Sequence, residues 1–208
     1  TTTGGTEPYQ YSQDGTNYGV TNVFGNLTAG THTFYVKDAL GCTGNVELTI
    51  TQPTALTVSL NTETPLKNVT CNGGNDGSFA VTAVGGTEVY QYSINNGASY
   101  QNSATFSGLT ANNYTVMVRD ANGCTATLNE AITVTQPTVV AINAENGFTV
   151  TNVNCNGGND GSITINTTSV SGGNGSYQYS IDEGAHYQAS NIFNGLTAGT
   201  YRLMAKDG

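Results

Sequence analysis

Positive charge is nearly missing from this sequence. Five Lys and Arg stand against fourteen Asp and Glu in 208 residues, a formal net charge of −9. A nucleic-acid ligand calls for a basic footprint and a membrane surface for a polybasic segment, so neither is expected as a partner. Long apolar runs are missing too: no stretch approaches the ~20 residues that span a bilayer, and no leader pattern is visible. Trp is absent, Met occurs twice and Pro four times. Charged residues of either sign make up only 9% of the chain, whereas disordered segments combine low hydrophobicity with high charge. No segment carries a sustained 3.6-residue apolar period, so no helix is expected. What the sequence does have is turn-forming Gly and Asn set between runs of Thr, Val, Ile and Tyr, the composition of an all-β protein with many short strands.

The dominant feature is a repeat. CNGGNDGS runs from Cys71 to Ser78 and recurs, identical, 84 residues later from Cys155 to Ser162. Other strings fall into the same register. GGTEPYQYS (from Gly4) matches GGTEVYQYS (from Gly85) and GGNGSYQYS (from Gly172). FGNLTAGTHTFYVKD (from Phe24) matches FSGLTANNYTVMVRD (from Phe106) and FNGLTAGTYRLMAKD (from Phe193). GCT recurs at Gly41 and Gly123, and ITQPT at Ile50 pairs with VTQPT at Val134. With the linkers placed at the two TQPT strings, the copies run over 1–52 (N-terminal part missing), 53–136 (complete) and 137–208 (C-terminal part missing). The sequence therefore reads as a window on a longer array.

Alternation of apolar residues predicts the strands. Leu56, Val58 and Leu60 form strand A, with Val140, Ile142 and Ala144 as its later counterpart. Phe79, Val81 and Ala83 form B, and Tyr90, Tyr92 and Ile94 form C. Strand E covers 104–106; Tyr114, Val116 and Val118 lie on F; Leu128, Ile132 and Val134 lie on G, with a phase slip that suggests a bulge. Six or seven short strands in about 84 residues predict tandem immunoglobulin-like β-sandwiches. A Tyr just past the polar GLTA loop (Tyr114, Tyr201) corresponds to the tyrosine corner of such folds, with His32 in its place in the first copy.

The strings VTCNGGNDGS, YQYS, GLTAGTY, VRDANGCTA and VTQPT together resemble the SprB-type repeats of Bacteroidota cell-surface adhesins. The resemblance covers essentially the whole chain. It implies a long, repetitive parent protein on the extracellular, outer surface of the bacterium, exported by type IX secretion and serving attachment and gliding motility. The departures are His32 for Tyr and three extra residues between Ile165 and Gly172.

Cys71 and Cys155 precede strand B, while Cys42 and Cys124 follow strand F. Even cysteine use in an exported repeat favours disulfides. Strand F, Tyr114 to Asp120, spans roughly 23 Å at ~3.3 Å per residue, and bridged Cα atoms must lie within about 7 Å. That favours bridges between neighbouring repeats, with the partners of Cys71 and Cys124 beyond Gly208 and before Thr1. A Cys71–Cys124 bridge within one repeat, and Cys42–Cys71 with Cys124–Cys155, are the alternatives. Asn72, Asn75 and Asp76 of one repeat, facing Asp207 of the next, offer hard oxygens of the kind Ca2+ takes. Left-handed turns and local Asx bonds account for the same residues, and the DxDxDG calcium spacing is absent. Tyr90, Tyr92 and Tyr100 recur as Tyr177, Tyr179 and Tyr187; they form either packing faces or a platform for stacking sugars.

The leading expectation is a structural stalk or filament segment of a large secreted adhesin. Its partners would be the neighbouring repeats of the same chain, with surface glycans or the gliding machinery beyond them. An array of carbohydrate-binding modules is the alternative. No recurring catalytic constellation is visible, so an enzyme is not expected.

Overall fold

The computed structural model describes residues 1–208. The chain is all β apart from one short 3-10 turn, and it divides into two compact units, Thr1–Ala55 and Leu56–Gly208.

The first unit is one antiparallel sheet. Its strands are β1 (Gln10–Ser12), β2 (Gly30–Lys37) and β3 (Thr43–Ile50), in the order β1-β2-β3. The long β2–β3 hairpin runs in continuous register from Gly30 opposite Ile50 to Lys37 opposite Thr43.

The second unit begins with β4 (Thr57–Leu60), β5 (Gly77–Val84), β6 (Gln91–Ser93) and β7 (Thr105–Leu109). It continues with β8 (Asn112–Tyr114), β9 (Met117–Arg119), β10 (Thr125–Thr127) and β11 (Ile132–Val134). Order β4-β5-β7 forms one sheet; β10-β9-β6 forms the second, with the pair β11-β8 beside it. These are the A-B-E and G-F-C sheets of an immunoglobulin-like sandwich. Between them lies a core of Phe79, Val81, Phe106, Val116, Val118 and Val134, all buried. Phe79 is fully enclosed and meets the Phe106 ring at 5.4 Å and that of Tyr114 at 6.1 Å. Alternation supplies this core directly, because Phe79 and Val81 lie two residues apart on one face of β5.

Neither F nor G is continuous. F is split into β8 and β9 and G into β10 and β11, and each half pairs with the matching half of the other. The phase slip in G is therefore a break rather than a single bulge.

The third repeat contains β12 (Ala141–Ile142), β13 (Phe148–Thr151), β14 (Gly161–Ile165) and β15 (Val170–Ser171). It ends with β16 (Tyr177–Ser180), β17 (Ile192–Leu196) and β18 (Met204–Asp207). Its sheets are β13-β14-β17, β12-β15 and β16-β18. The three extra residues are absorbed by the 3-10 turn Thr167–Ser169, capped by the Asn166 side chain accepting from the Thr168 N–H. The buried core here is smaller, centred on Ile165, Val170 and Tyr179.

Candidate functional site

The CNGGNDGS loop is built by its own polar groups. Asp76 accepts from the Thr70 N–H, the Thr70 hydroxyl and the Lys67 ammonium, each at 2.9 Å. These donors, the Thr70 N–H foremost, hold its carboxyl well below the usual carboxylate range. The Gly74 N–H closes a turn on the Cys71 carbonyl at 3.0 Å. Gly77 is required sterically: a methyl there would come within 2.8 Å of Val134 Cγ1 and 2.9 Å of the Leu109 carbonyl. In the third repeat Asp160 repeats the device with Asn154, which donates through both its backbone N–H and its side-chain amide.

The outer edge of the loop holds the linker. The Gly73 N–H donates to Gln136 Oε1 at 2.8 Å, and Asn72 Nδ2 donates to the Pro137 carbonyl at 2.9 Å. Just before it, Val69 N–H reaches the Thr135 carbonyl and Asn68 Oδ1 accepts from the Thr135 N–H, both at 2.9 Å. From the other side the third repeat takes hold, its Gly173 N–H donating to the Thr138 carbonyl at 2.8 Å. Residues 135–138 are thus clasped by both repeats.

The turn after strand F is fixed by a second recurring carboxylate. Asp120 accepts from the N–H groups of Thr87, Asn122 and Cys124 at 2.8–3.0 Å, and these bonds, that from Thr87 foremost, lower its pKa. Asp38 does the same with Thr6, Leu40 and Cys42. Asp207 takes the Asn174 N–H at 2.8 Å. A methyl on Gly86 would lie 2.7 Å from Asp120 Oδ2, which explains the paired glycines opposite this turn.

These contacts locate the expected site residues. The Cys71 loop lies where the chain leaves the second repeat. The Cys124 turn, beside Gly86 and Leu56, lies where it enters. All four cysteines, Cys42, Cys71, Cys124 and Cys155, are exposed and none is bridged to another. Asn72, Asn75, Asp76 and Asp207, the expected Ca2+ ligands, have other neighbours here. Lys67 already sits on Asp76, Asn72 turns its N–H groups to Pro137, and no three acidic, His or Cys side chains converge.

The tyrosines are occupied rather than offered. Tyr90 donates its hydroxyl to the Gly85 carbonyl at 2.7 Å. Tyr92 is 8% exposed, and burial raises its pKa. Tyr100 is covered by the Arg119 guanidinium, 4.1 Å from its ring centroid. Lys37 over Tyr18 (4.3 Å) and Lys206 over Tyr187 (4.4 Å) repeat that cover. Against the sugar-stacking reading of Tyr90, Tyr92 and Tyr100 stand the bonded hydroxyl of Tyr90, the burial of Tyr92 and the covered ring of Tyr100.

Two recurring roles were hidden in the strings. Tyr114 and Tyr201 donate to the carbonyls of Thr110 and Thr197 at 2.9 Å, and His32 makes the equivalent bond to the Thr28 carbonyl at 2.7 Å through Nε2. The serine of each YQYS (Ser12, Ser93, Ser180) is buried and donates to the carboxylate or amide two residues on, closing the next hairpin. Its recurrence in three copies was the available signal. In the third copy this places Ser180, Asp182 and His186 in one chain of hydrogen bonds. Asp182 stands between the other two, and the Ser180 side chain is fully buried.

No curated protein matches the chain. Over residues 64–99, and again over 147–186, it matches the family model described as the SprB repeat. Both matched stretches contain the CNGGNDGS loop and the YQYS strand, so the chain matches the SprB repeat at two places, each within an all-β, sandwich-like repeat.

Proposed function

We propose that these repeats form the stalk or filament segment of a large secreted adhesin on the bacterial outer surface, serving attachment and gliding. SprB repeats belong to cell-surface proteins. The observation that carries the reading is the clasp, in which the most strongly repeated loop spends its outward donors on the linker to the next repeat. A loop used in this way is a device for serial assembly. Type IX export follows the same family reading. So does bridging of Cys71 to the cysteine turn of a following repeat, since the loop and the entering turn flank one linker.

A catalytic role has no support in the geometry. A serine nucleophile needs histidine beside it as base, whereas Asp182 separates Ser180 from His186.

Deleting the coding region for residues 53–136 in frame from the parent gene tests the proposal. Surface display of the shortened protein is expected to persist while attachment and gliding fall. Unchanged attachment and gliding with a displayed, shortened product would overturn it.

A further inference from the structure

The clasp holds apart two groups that react with each other. In an Asn-Gly pair the glycine amide nitrogen attacks the asparagine side-chain carbonyl carbon readily, because the second residue has no side chain to hinder the approach. The chain has seven such pairs, beginning at Asn72, Asn96, Asn122, Asn146, Asn156, Asn174 and Asn194. At Asn72-Gly73 both reacting groups are tied to the linker. The Gly73 N–H, whose nitrogen is the nucleophile, donates to Gln136 Oε1 at 2.8 Å. Asn72 Nδ2, the leaving group, donates to the Pro137 carbonyl at 2.9 Å.

Sterics do not protect this pair. Asn72 and Gly73 are both exposed, so water reaches them. A methyl built on Gly73 meets no other atom within 4 Å. Protection therefore rests on two hydrogen bonds that last only while Gln136 and Pro137 are in place. Asn122-Gly123 is held otherwise, by contacts inside the second repeat. There the Gly123 N–H donates to the Asp120 carbonyl at 3.0 Å, and Asn122 Nδ2 donates to Thr87 Oγ1 at 2.9 Å.

We propose that Asn72 is a modification site guarded by the linker: release of Gln136 and Pro137 opens it to deamidation, and the product keeps the clasp open. The chemistry balances with water as the one co-reactant. The Gly73 nitrogen loses its proton and bonds to Asn72 Cγ. The Cγ–Nδ2 bond breaks and ammonia departs, leaving a five-membered succinimide. Water then adds to one of the two ring carbonyls and opens the ring, giving aspartate or isoaspartate. Either product puts a carboxylate opposite the Pro137 carbonyl, so oxygen faces oxygen where an N–H···O bond stood. Isoaspartate also lengthens the main chain by one carbon before Gly73, which shifts the N–H that Gln136 accepts. The site thus records release of the linker in a covalent form. This inference rests on the clasp alone and is independent of the adhesin reading.

The test incubates the whole 208-residue chain in mildly alkaline buffer and follows aspartate and isoaspartate at each pair by peptide mapping. A free peptide, VTCNGGNDG, is the unguarded reference. Reaction follows the fraction of time the clasp is open, so Asn72 is expected to convert at least about tenfold more slowly in the chain than in the peptide. Gln136→Ala, an exposed substitution, is expected to speed conversion at Asn72 about fivefold and to leave Asn122 unchanged. In Asn72→Asp, hydrogen exchange at the Gly73 amide is expected to run faster than in wild type and faster than in Asn72→Ala. Equal rates in chain and peptide, or an unchanged rate in Gln136→Ala, would overturn the inference. So would a rise shared equally by Asn122, which marks general loosening, or a Gly73 amide as protected in Asn72→Asp as in wild type.

Discussion

The second and third repeats share a loop, a hairpin and a strand pattern, yet their interiors differ in one direction. Where β11 is present, Val69, Leu109 and Val134 are buried together with Phe79 and Phe106. In the third repeat Val150 is 55% exposed and the buried cluster is Ile165, Val170 and Tyr179. The loop itself keeps its form in both, with Asp76 and Asp160 bonded alike to residues six positions earlier. The loop is thus locally determined, whereas the core of the second repeat is assembled from residues as far apart as Val69 and Val134.

The largest effect expected within this comparison comes from the filled core. Phe79→Ala should cost about 3–5 kcal/mol, and urea unfolding followed by circular dichroism should show the second repeat losing its stability margin over the third. Val134→Ala removes two methyl groups from the site that distinguishes the repeats. A loss of about 2 kcal/mol is expected, together with faster hydrogen exchange at Val69 and Leu109.

Acid should act on both repeats through the turn carboxylates. The folded pKa of Asp120 is depressed, so its contribution is present above the unfolded value of about 3.9 and is lost as pH falls through the lower folded value. Asp120→Asn should flatten that part of the stability–pH profile below about pH 4, measured by thermal melts.

A smaller change separates the loops themselves. Asn72→Ala should cost about 0.5–1.5 kcal/mol through the bond to Pro137, while Asn156→Ala, whose side chain holds no linker, should leave the melting temperature unchanged. The smallest effect expected is from a chelator, which should shift neither transition, because Lys67 already neutralises Asp76. A rise in stability with Ca2+ would show that the donors rearrange around the ion.

Much of this was legible in the residues, and the illegible part has physical causes. Alternation places Phe79 and Val81 on one face, and the all-β sandwich follows. The broken F and G strands were less visible, because a chain that changes partners between β8 and β9 keeps its composition and loses only a hydrogen-bonding phase. The phase slip at Leu128 was a trace of it. The repeated loop marked Asp76 as special without revealing its partners. The clasp joins Gly73 to Gln136 across 63 positions, and no local pattern encodes such a bond. His32 looked like a departure at the tyrosine corner but makes the same bond to the carbonyl four residues before it. What that position selects is a ring-borne donor of suitable reach.

The clasp also sets the order in which a pulled chain would yield. Tension applied beyond Thr138 arrives first at Pro137 and Gln136, which are tied by two side-chain bonds, and only afterwards at the β11 ladder and the Val134 contacts beneath it. Those two bonds are weak and re-form readily, while the ladder and core behind them are cooperative. The linker bonds, those of Thr135 to Val69 and Asn68 included, therefore stand ahead of the β11 ladder and the core in the path of any load.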